Sequence, residues 1–191
     1  MEIKCIGKNS FSLVGKNESV LINPTDEQLK KYQGKSRIII FSREDFLKKG
    51  INDSRVVIMG PGEYEVGGIE IKGYNSGDNS TIYSILVEGV EIGYLGDIQL
   101  ALSDKRIDRI SGLDVLLAPV EGKELGDGKI VQAWAKKWGA NYLIPFGYEK
   151  GDGKLEKFLD QLDQESLKPV DGLKINADSL PDGMEVVVLA C

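Results

Sequence analysis

Three short apolar runs constrain the fold most: Ile38–Phe41, Val115–Pro119 and Tyr142–Phe146. Each is four or five residues long and bounded by polar or turn-forming residues. Runs of this length, rich in Ile, Leu, Val and Phe, match strands covered on both faces and are short for a buried helix. A chain holding several such strands must place a layer on each side of a sheet.

The segments between them complete a mixed pattern. In the first half, residues 3–5 and 11–14 read as a hairpin turning at Lys8-Asn9, and Ser19–Ile22 as a strand stopped by Asn23-Pro24. Residues 26–32 read as a short helix. Residues 55–59, 64–66, 69–74, 81–88 and 90–95 read as strands, the last two joined at Glu88-Gly89. In the second half helices alternate with strands. Ser103 suits the N-cap of a helix through Arg109. Residues 127–138 carry Ile130, Val131, Trp134, Ala135 and Trp138 at helical spacing, with Gly139 as C-cap. Residues 154–162 form another helix, and 173–175 and 184–189 closing strands. The expected architecture is α/β (α+β): two mixed sheets packed together, helices outside, in a single domain over residues 1–191. Glycine, at 23 residues, is spread along the chain as the turns of such a scaffold require.

Composition then narrows the chemistry. The chain has no histidine, which excludes Ser-His-Asp and Cys-His mechanisms and any zinc site built on imidazole. A formal charge of −6 disfavours nonspecific binding to nucleic acid or to an anionic membrane. Cys5 and Cys191 form neither a CxxC pair nor a zinc spacing and are expected to be two reduced thiols. The first residues lack the apolar core of a signal peptide, and no run reaches the ~18 apolar residues of a membrane span. The expected location is the cytoplasm.

Several segments in order carry a family resemblance: IGKNSFSLVGKNESVLINP (6–24), RIIIFSREDF (37–46), GPGEYEVGGIEIKGYN (60–75), YSILVEGVEIGYLGDI (83–98), LDVLLAPV (113–120) and NYLIPFGYEKG (141–151). Together they resemble the metallo-β-lactamase fold, in its compact branch of zinc-dependent hydrolases that includes the ascorbate-phosphate lactonases. The resemblance implies a four-layer αββα sandwich with a metal site at one edge, between the sheets. It also implies zinc as the family's cofactor. The family's His-x-His-x-Asp-His motif, laid on the residues after Ile38–Phe41, puts Ser42, Glu44, Phe46 and Leu47 at its four ligand positions. The next histidine falls on Asn75 and the last on Gly147. The bridging aspartate is retained as Asp97. The family's Leu-Ile-Asp-Pro reads Leu21-Ile22-Asn23-Pro24, and its early Gly-His turn reads Gly7-Lys8.

A catalytic zinc needs about three protein ligands and an open position. By that count the resemblance carries the scaffold and not the water-activating centre, and no cofactor is expected. Asp97 reads either as a remnant ligand or acid/base, or as a carboxylate accepting backbone N–H groups. Glu63 and Glu65 share one strand face and either bind a cation or form a solvated surface. Ser42, Arg43, Glu44 and Asp45 read as a remodelled pocket, or as a helix start capped by Ser42 with Phe46 and Leu47 facing the core. Tyr148 is placed to donate into the former site. The leading reading is a non-catalytic binding, scaffold or oligomer-forming protein. The alternative is a hydrolase of an ester, lactone or phosphoester using Asp97 and Glu44, with weakly held Mg²⁺ or Mn²⁺ or no metal. Relatives in the lactonase branch tend to assemble, so a homo-oligomer is an expectation; the partner and ligand stay open.

Overall fold

A computed structural model of the chain describes residues 1–46, 51, 55–76, 79–96, 98, 102–122 and 127–191. In chain order it forms β1 (Glu2–Gly7), β2 (Ser10–Val14), β3 (Ser19–Ile22), α1 (Asp26–Lys31), β4 (Ile38–Phe41), β5 (Val56–Met59), β6 (Gly62–Val66), β7 (Ile69–Asn75), β8 (Thr81–Val87) and β9 (Val90–Tyr94). There follow α2 (Asp104–Ile107), β10 (Val115–Pro119), α3 (Gly128–Trp138), β11 (Tyr142–Phe146), α4 (Lys154–Gln161), β12 (Leu173–Lys174) and β13 (Glu185–Val186). The strands make two mixed sheets, ordered β12-β1-β2-β3-β4-β5 and β13-β11-β10-β9-β8-β7-β6. The chain passes from the edge of the first sheet to the edge of the second through Gly60-Pro61.

Strand alternation assigns the layers. Ile3, Phe11, Leu13, Val20, Ile22, Ile38 and Ile40 of the first sheet meet Ile71, Tyr83, Ile85, Ile92, Tyr94, Leu117 and Ile144 of the second in one buried core. The intervening residues face outward. Ile39 and Phe41 pack under Leu29 of α1, and Leu116, Ala118 and Leu143 pack under Val131, Trp134, Trp138 and Phe158 of the long helices. The result is helix, sheet, sheet, helix, as the resemblance implied. Deleting a ring such as that of Trp138, 1% exposed, would cost about 3–5 kcal/mol.

Local chemistry starts and stops the elements. Thr25 and Gln28 form a reciprocal capping box at α1. Asp127 accepts from the Lys129 N–H at 3.0 Å, and Gly139 ends α3 in the left-handed region. Glu88 and Gly89 both have positive φ, 53° and 78°, the geometry of a tight hairpin turn whose twist matches the flanking strands.

The cysteines correct the expectation of two separate thiols. Cys5 and Cys191 are disulfide-bonded, with Cα atoms 5.0 Å apart across 186 residues of sequence. β1 lies near one edge of the first sheet, and the segment after β13 bridges through Leu189 to Val170. Spacing along the chain carries no trace of that return.

Two tyrosines of the second sheet cross the core and hold the loops of the first. The Tyr83 hydroxyl donates to Phe41 O at 3.0 Å and accepts from Gly60 N–H at 3.0 Å. The Tyr94 hydroxyl donates to Asn9 O at 3.0 Å. Tyr83 and Tyr94 are directly paired between β8 and β9, so adjacent strands supply both ties. Burial pushes the Tyr83 hydroxyl up to about 12. Folding thus favours its neutral form: this stabilisation is complete below the unfolded value near 10 and is lost as pH rises through about 12. We expect urea unfolding of Tyr83→Phe at pH 7 to show a loss of about 1–3 kcal/mol from the unpaired Gly60 N–H and Phe41 O. Between pH 10 and 12 the wild type should lose stability faster than the variant. Parallel pH profiles would contradict the assignment.

Candidate functional site

At the edge of the sandwich, Ile22 ends β3 and the chain turns sharply at Asn23, whose φ is +46°. Asparagine tolerates this left-handed geometry better than most residues. The turn sends its carboxamide inward, where it is 7% exposed. The amide nitrogen donates to Ser42 Oγ at 2.9 Å and to Tyr94 Oη at 2.8 Å. The amide oxygen accepts from Ser42 N–H at 2.8 Å. The backbone of Asn23 donates to Ile40 O at 2.8 Å and accepts from Ser10 Oγ at 2.6 Å. One neutral side chain therefore joins β3, the loop after β4 and β9.

Ser42 is correspondingly closed in. It is 2% exposed, and its carbonyl accepts from Thr81 N–H at 2.8 Å. Behind it runs Gly96, at φ +67°, where a Cβ would lie 3.1 Å from Ser42 Cβ and Ser80 Oγ. Only glycine lets the backbone pass there unstrained. Ser42 does not cap a helix, as the capping pattern suggested. Residues Glu44–Phe46 form a single 3₁₀ turn, and the Ser42 hydroxyl is taken by Asn23 instead.

Above this floor opens a cleft of about 480 Å³ lined by Ser42, Arg43, Glu44, Asn75, Asn79 and Thr81, among others. Its rim carries an ion pair, Arg43 Nε to Asp45 Oδ1 at 3.0 Å, and the hydrogen bond from Arg43 holds the Asp45 carboxyl below the usual range. Both residues are accessible, so the pair contributes little to stability.

The residues singled out from sequence are thus divided. Ser42, Glu44 and Asn75 share the cleft. Phe46 packs on the opposite face of the first sheet, against Leu29, Ile39 and Phe41. Gly147 offers no side chain; its N–H donates to Lys8 O at 3.1 Å, beside Asn9. Glu63 and Glu65 project from the exposed face of β6, opposite Lys72 and Glu70, in a separate shallow depression. Tyr148 packs with the outer core under the helices, and its hydroxyl donates to Leu189 O at 3.4 Å; burial raises it. Leu47 and Asp97 lie outside the described residues. Among the described residues, no three His, Cys, Asp or Glu side chains form a metal-binding group.

Sequence reasoning missed Tyr83 and Tyr94 as site supports. The available signal was a tyrosine at an inward-facing position of an otherwise aliphatic strand, where a buried hydroxyl must find a partner. For Asn23 the sequence shows only a strand stop and the counterpart of a family aspartate, not the tie it makes to Ser42 and Tyr94.

Among solved structures, a Thermotoga maritima protein assigned as a Zn-dependent hydrolase of the metallo-β-lactamase superfamily aligns over 99% of this chain and 98% of its own, with 24% identity and a TM-score of 0.80. A Parabacteroides distasonis protein assigned as a metal-dependent hydrolase aligns over 98% and 91%, at 16% identity and TM-score 0.65. The metallo-β-lactamase fold protein YhfI from Bacillus subtilis aligns over 98% and 95%, at 12% identity and TM-score 0.63. These identities establish a shared fold. No curated protein matches the sequence. Residues 2–147 match the family model for the β-lactamase superfamily domain, and the chain belongs to that superfamily.

Proposed function

We propose that this chain is a superfamily member without the metal centre, whose cleft binds a small polar ligand or serves as a scaffold rather than hydrolysing a substrate. The observation that carries this reading is the neutral, hydrogen-bonded floor of the cleft. A zinc site requires lone pairs aimed at one point. Here the Asn23 amide aims N–H donors at Ser42 Oγ and Tyr94 Oη, the polarity opposite to that which attracts a cation. The Ser42 hydroxyl already accepts from Asn23, Phe46 faces another core, and Gly147 has no donor atom on its side chain. Among the described residues the donor set does not fit zinc.

The lining that remains is hydroxyls and carboxamides, with one guanidinium already facing a carboxylate. Such groups exchange hydrogen bonds with a neutral polar ligand, and the hydroxyls and carboxamides supply neither nucleophile nor general base near neutral pH. Among the described residues, Glu44 is the one carboxylate on the lining outside the Arg43–Asp45 pair. The whole of residues 1–191 is taken as one domain, working in the cytoplasm and apart from nucleic acid. No described helix is long and apolar enough to cross a membrane. Exposed large apolar side chains among the described residues are Val14, Val57 and Val170, on separate segments.

One observation favours the alternative hydrolase: Glu44 stands exposed on the cleft lining, a carboxylate that would join Asp97, the retained family aspartate, in holding Mg²⁺ or Mn²⁺. Metal analysis separates the two. The native protein should carry no stoichiometric metal, and Zn²⁺, Mg²⁺ or Mn²⁺ should move its melting temperature by less than about 1 °C. Saturation of a real site at 100 times its Kd would add about 2.7 kcal/mol. A bound divalent ion that disappears in Asp97→Ala would overturn the proposal.

The floor gives a second expectation. Asn23→Leu leaves Ser42 N–H buried without its acceptor and should destabilise by about 2–4 kcal/mol in urea unfolding. Glu44→Gln, on an exposed side chain, should stay within about 0.5 kcal/mol. Addition of EDTA should change neither value. A destabilisation produced by the chelator alone would count against a metal-free floor.

A further inference from the structure

We propose that the Cys5–Cys191 disulfide is a reversible thiol-exchange latch. It closes the segment of residues 186–191 over the edge of the inter-sheet core and is opened by attack on Cys191. Three observations converge on this.

The first is unequal access. Cys5 is 8% exposed and belongs to the core between the sheets, whereas Cys191 is exposed. Thiol–disulfide exchange requires in-line approach of an incoming thiolate to a sulfur, so access decides which sulfur is attacked. Here that sulfur is Cys191 Sγ, and the buried Cys5 is the leaving group.

The second is what the latch holds. Val188 and Leu189 are 1% and 2% exposed, yet the segment following Val186 belongs to no long strand. It is fastened by Val187 N–H to Leu143 O at 3.0 Å, Val170 N–H to Val188 O at 2.9 Å, Ala190 N–H to Val170 O at 2.8 Å, the Tyr148 hydroxyl on Leu189 O and the disulfide. A few hydrogen bonds at an edge open readily; the covalent bond makes their closure persistent.

The third is what lies beneath. Cys5 is paired across β1 and β2 with Phe11. Phe11 meets the Phe146 ring edge-on at 5.4 Å, and Phe146 stacks on Tyr94 at 5.2 Å. Leu189 shares this core. Tyr94 in turn holds Asn23 and so the cleft floor. The latch therefore sits on the packed column that supports the cleft.

The exchange balances with a dithiol as co-reactant. Its thiolate attacks Cys191 Sγ, the Cys5–Cys191 bond breaks, and Cys5 leaves as a thiolate that takes a proton. The second thiol of the reductant then attacks the mixed disulfide. It releases Cys191, which is protonated, and closes the reductant into its own disulfide. Two electrons pass from the dithiol to the protein, and both its protons end on cysteine sulfurs.

The test uses the full chain. A non-reduced peptide map of air-oxidised protein should show the Cys5–Cys191 cross-link. Dithiothreitol should lower the melting temperature by roughly 5–15 °C, the range typical for loss of a long-range disulfide in a chain of this size. It should also speed amide hydrogen exchange at least tenfold at residues 187–190 and 170. Cys191→Ser, altered at an exposed residue, should match the reduced wild type in both readouts and be indifferent to dithiothreitol. Brief treatment with glutathione should leave the mixed disulfide on Cys191. Two free thiols after oxidation, unchanged exchange on reduction, or an adduct confined to Cys5 would each overturn the latch.

Discussion

The cleft edge of this sandwich depends on hydroxyl groups that span two sheets. Apolar packing brings the inner faces together but is non-directional, and it does not fix where a loop at the rim must lie. Tyr83 and Tyr94 do. Each extends a phenol from the second sheet to backbone groups of the first, Phe41 and Gly60 in one case and Asn9 in the other. Each ring fills the core while its hydroxyl satisfies polar groups left over where a strand ends. Remove them, and both the β4 exit and the β5–β6 crossing lose the contact that sets their position relative to the second sheet.

Asn23 extends the same logic. In a left-handed turn its carboxamide offers donor and acceptor together, and Ser42 uses both: N–H toward the amide oxygen, Oγ toward the amide nitrogen. An aspartate in that place cannot supply the donor, and a histidine in place of Ser42 would meet Thr81 and the Gly96 backbone that close around it. The residues at these positions are therefore mutually adapted. A metal ion between two sheets is itself a cross-link whose binding energy adds to folding. Under the reading proposed for this chain, neutral hydrogen bonds between the same sheets take over that mechanical role.

Much of this was legible in the sequence wherever local chemistry decides the outcome. The runs 38–41, 115–119 and 142–146 are strands because a continuous apolar run of that length has no other stable use between two layers. The turn at Glu88-Gly89 and the Gly139 cap announce themselves through residue type. Ser42 was harder: the Ser-x-x-Asp pattern fits a capping box, but the hydroxyl was recruited by Asn23, 19 residues earlier, and tertiary competition overrode the local option. The disulfide left no local signal because 186 residues separate its ends. The tyrosine ties required knowing that β8 and β9 stand opposite the exits of β2 and β4.

Glu63, Glu65 and Tyr148 show why side-chain chemistry alone places a site poorly. Two carboxylates with one residue between them on a strand do share a face, but the register against β7 turns that face to solvent, while Tyr64 between them packs on the core. Tyr148 stands next to Gly147, yet the left-handed φ of that glycine, +90°, redirects the chain, and the phenol turns to the helical layer and to Leu189. In both cases the identity of the residue was compatible with a site, and the backbone at one neighbouring position decided against it. The cleft is built instead from residues of weak individual signal, serines, asparagines and a threonine. Their common property is that β4 and β7 end, and β8 begins, at the same rim.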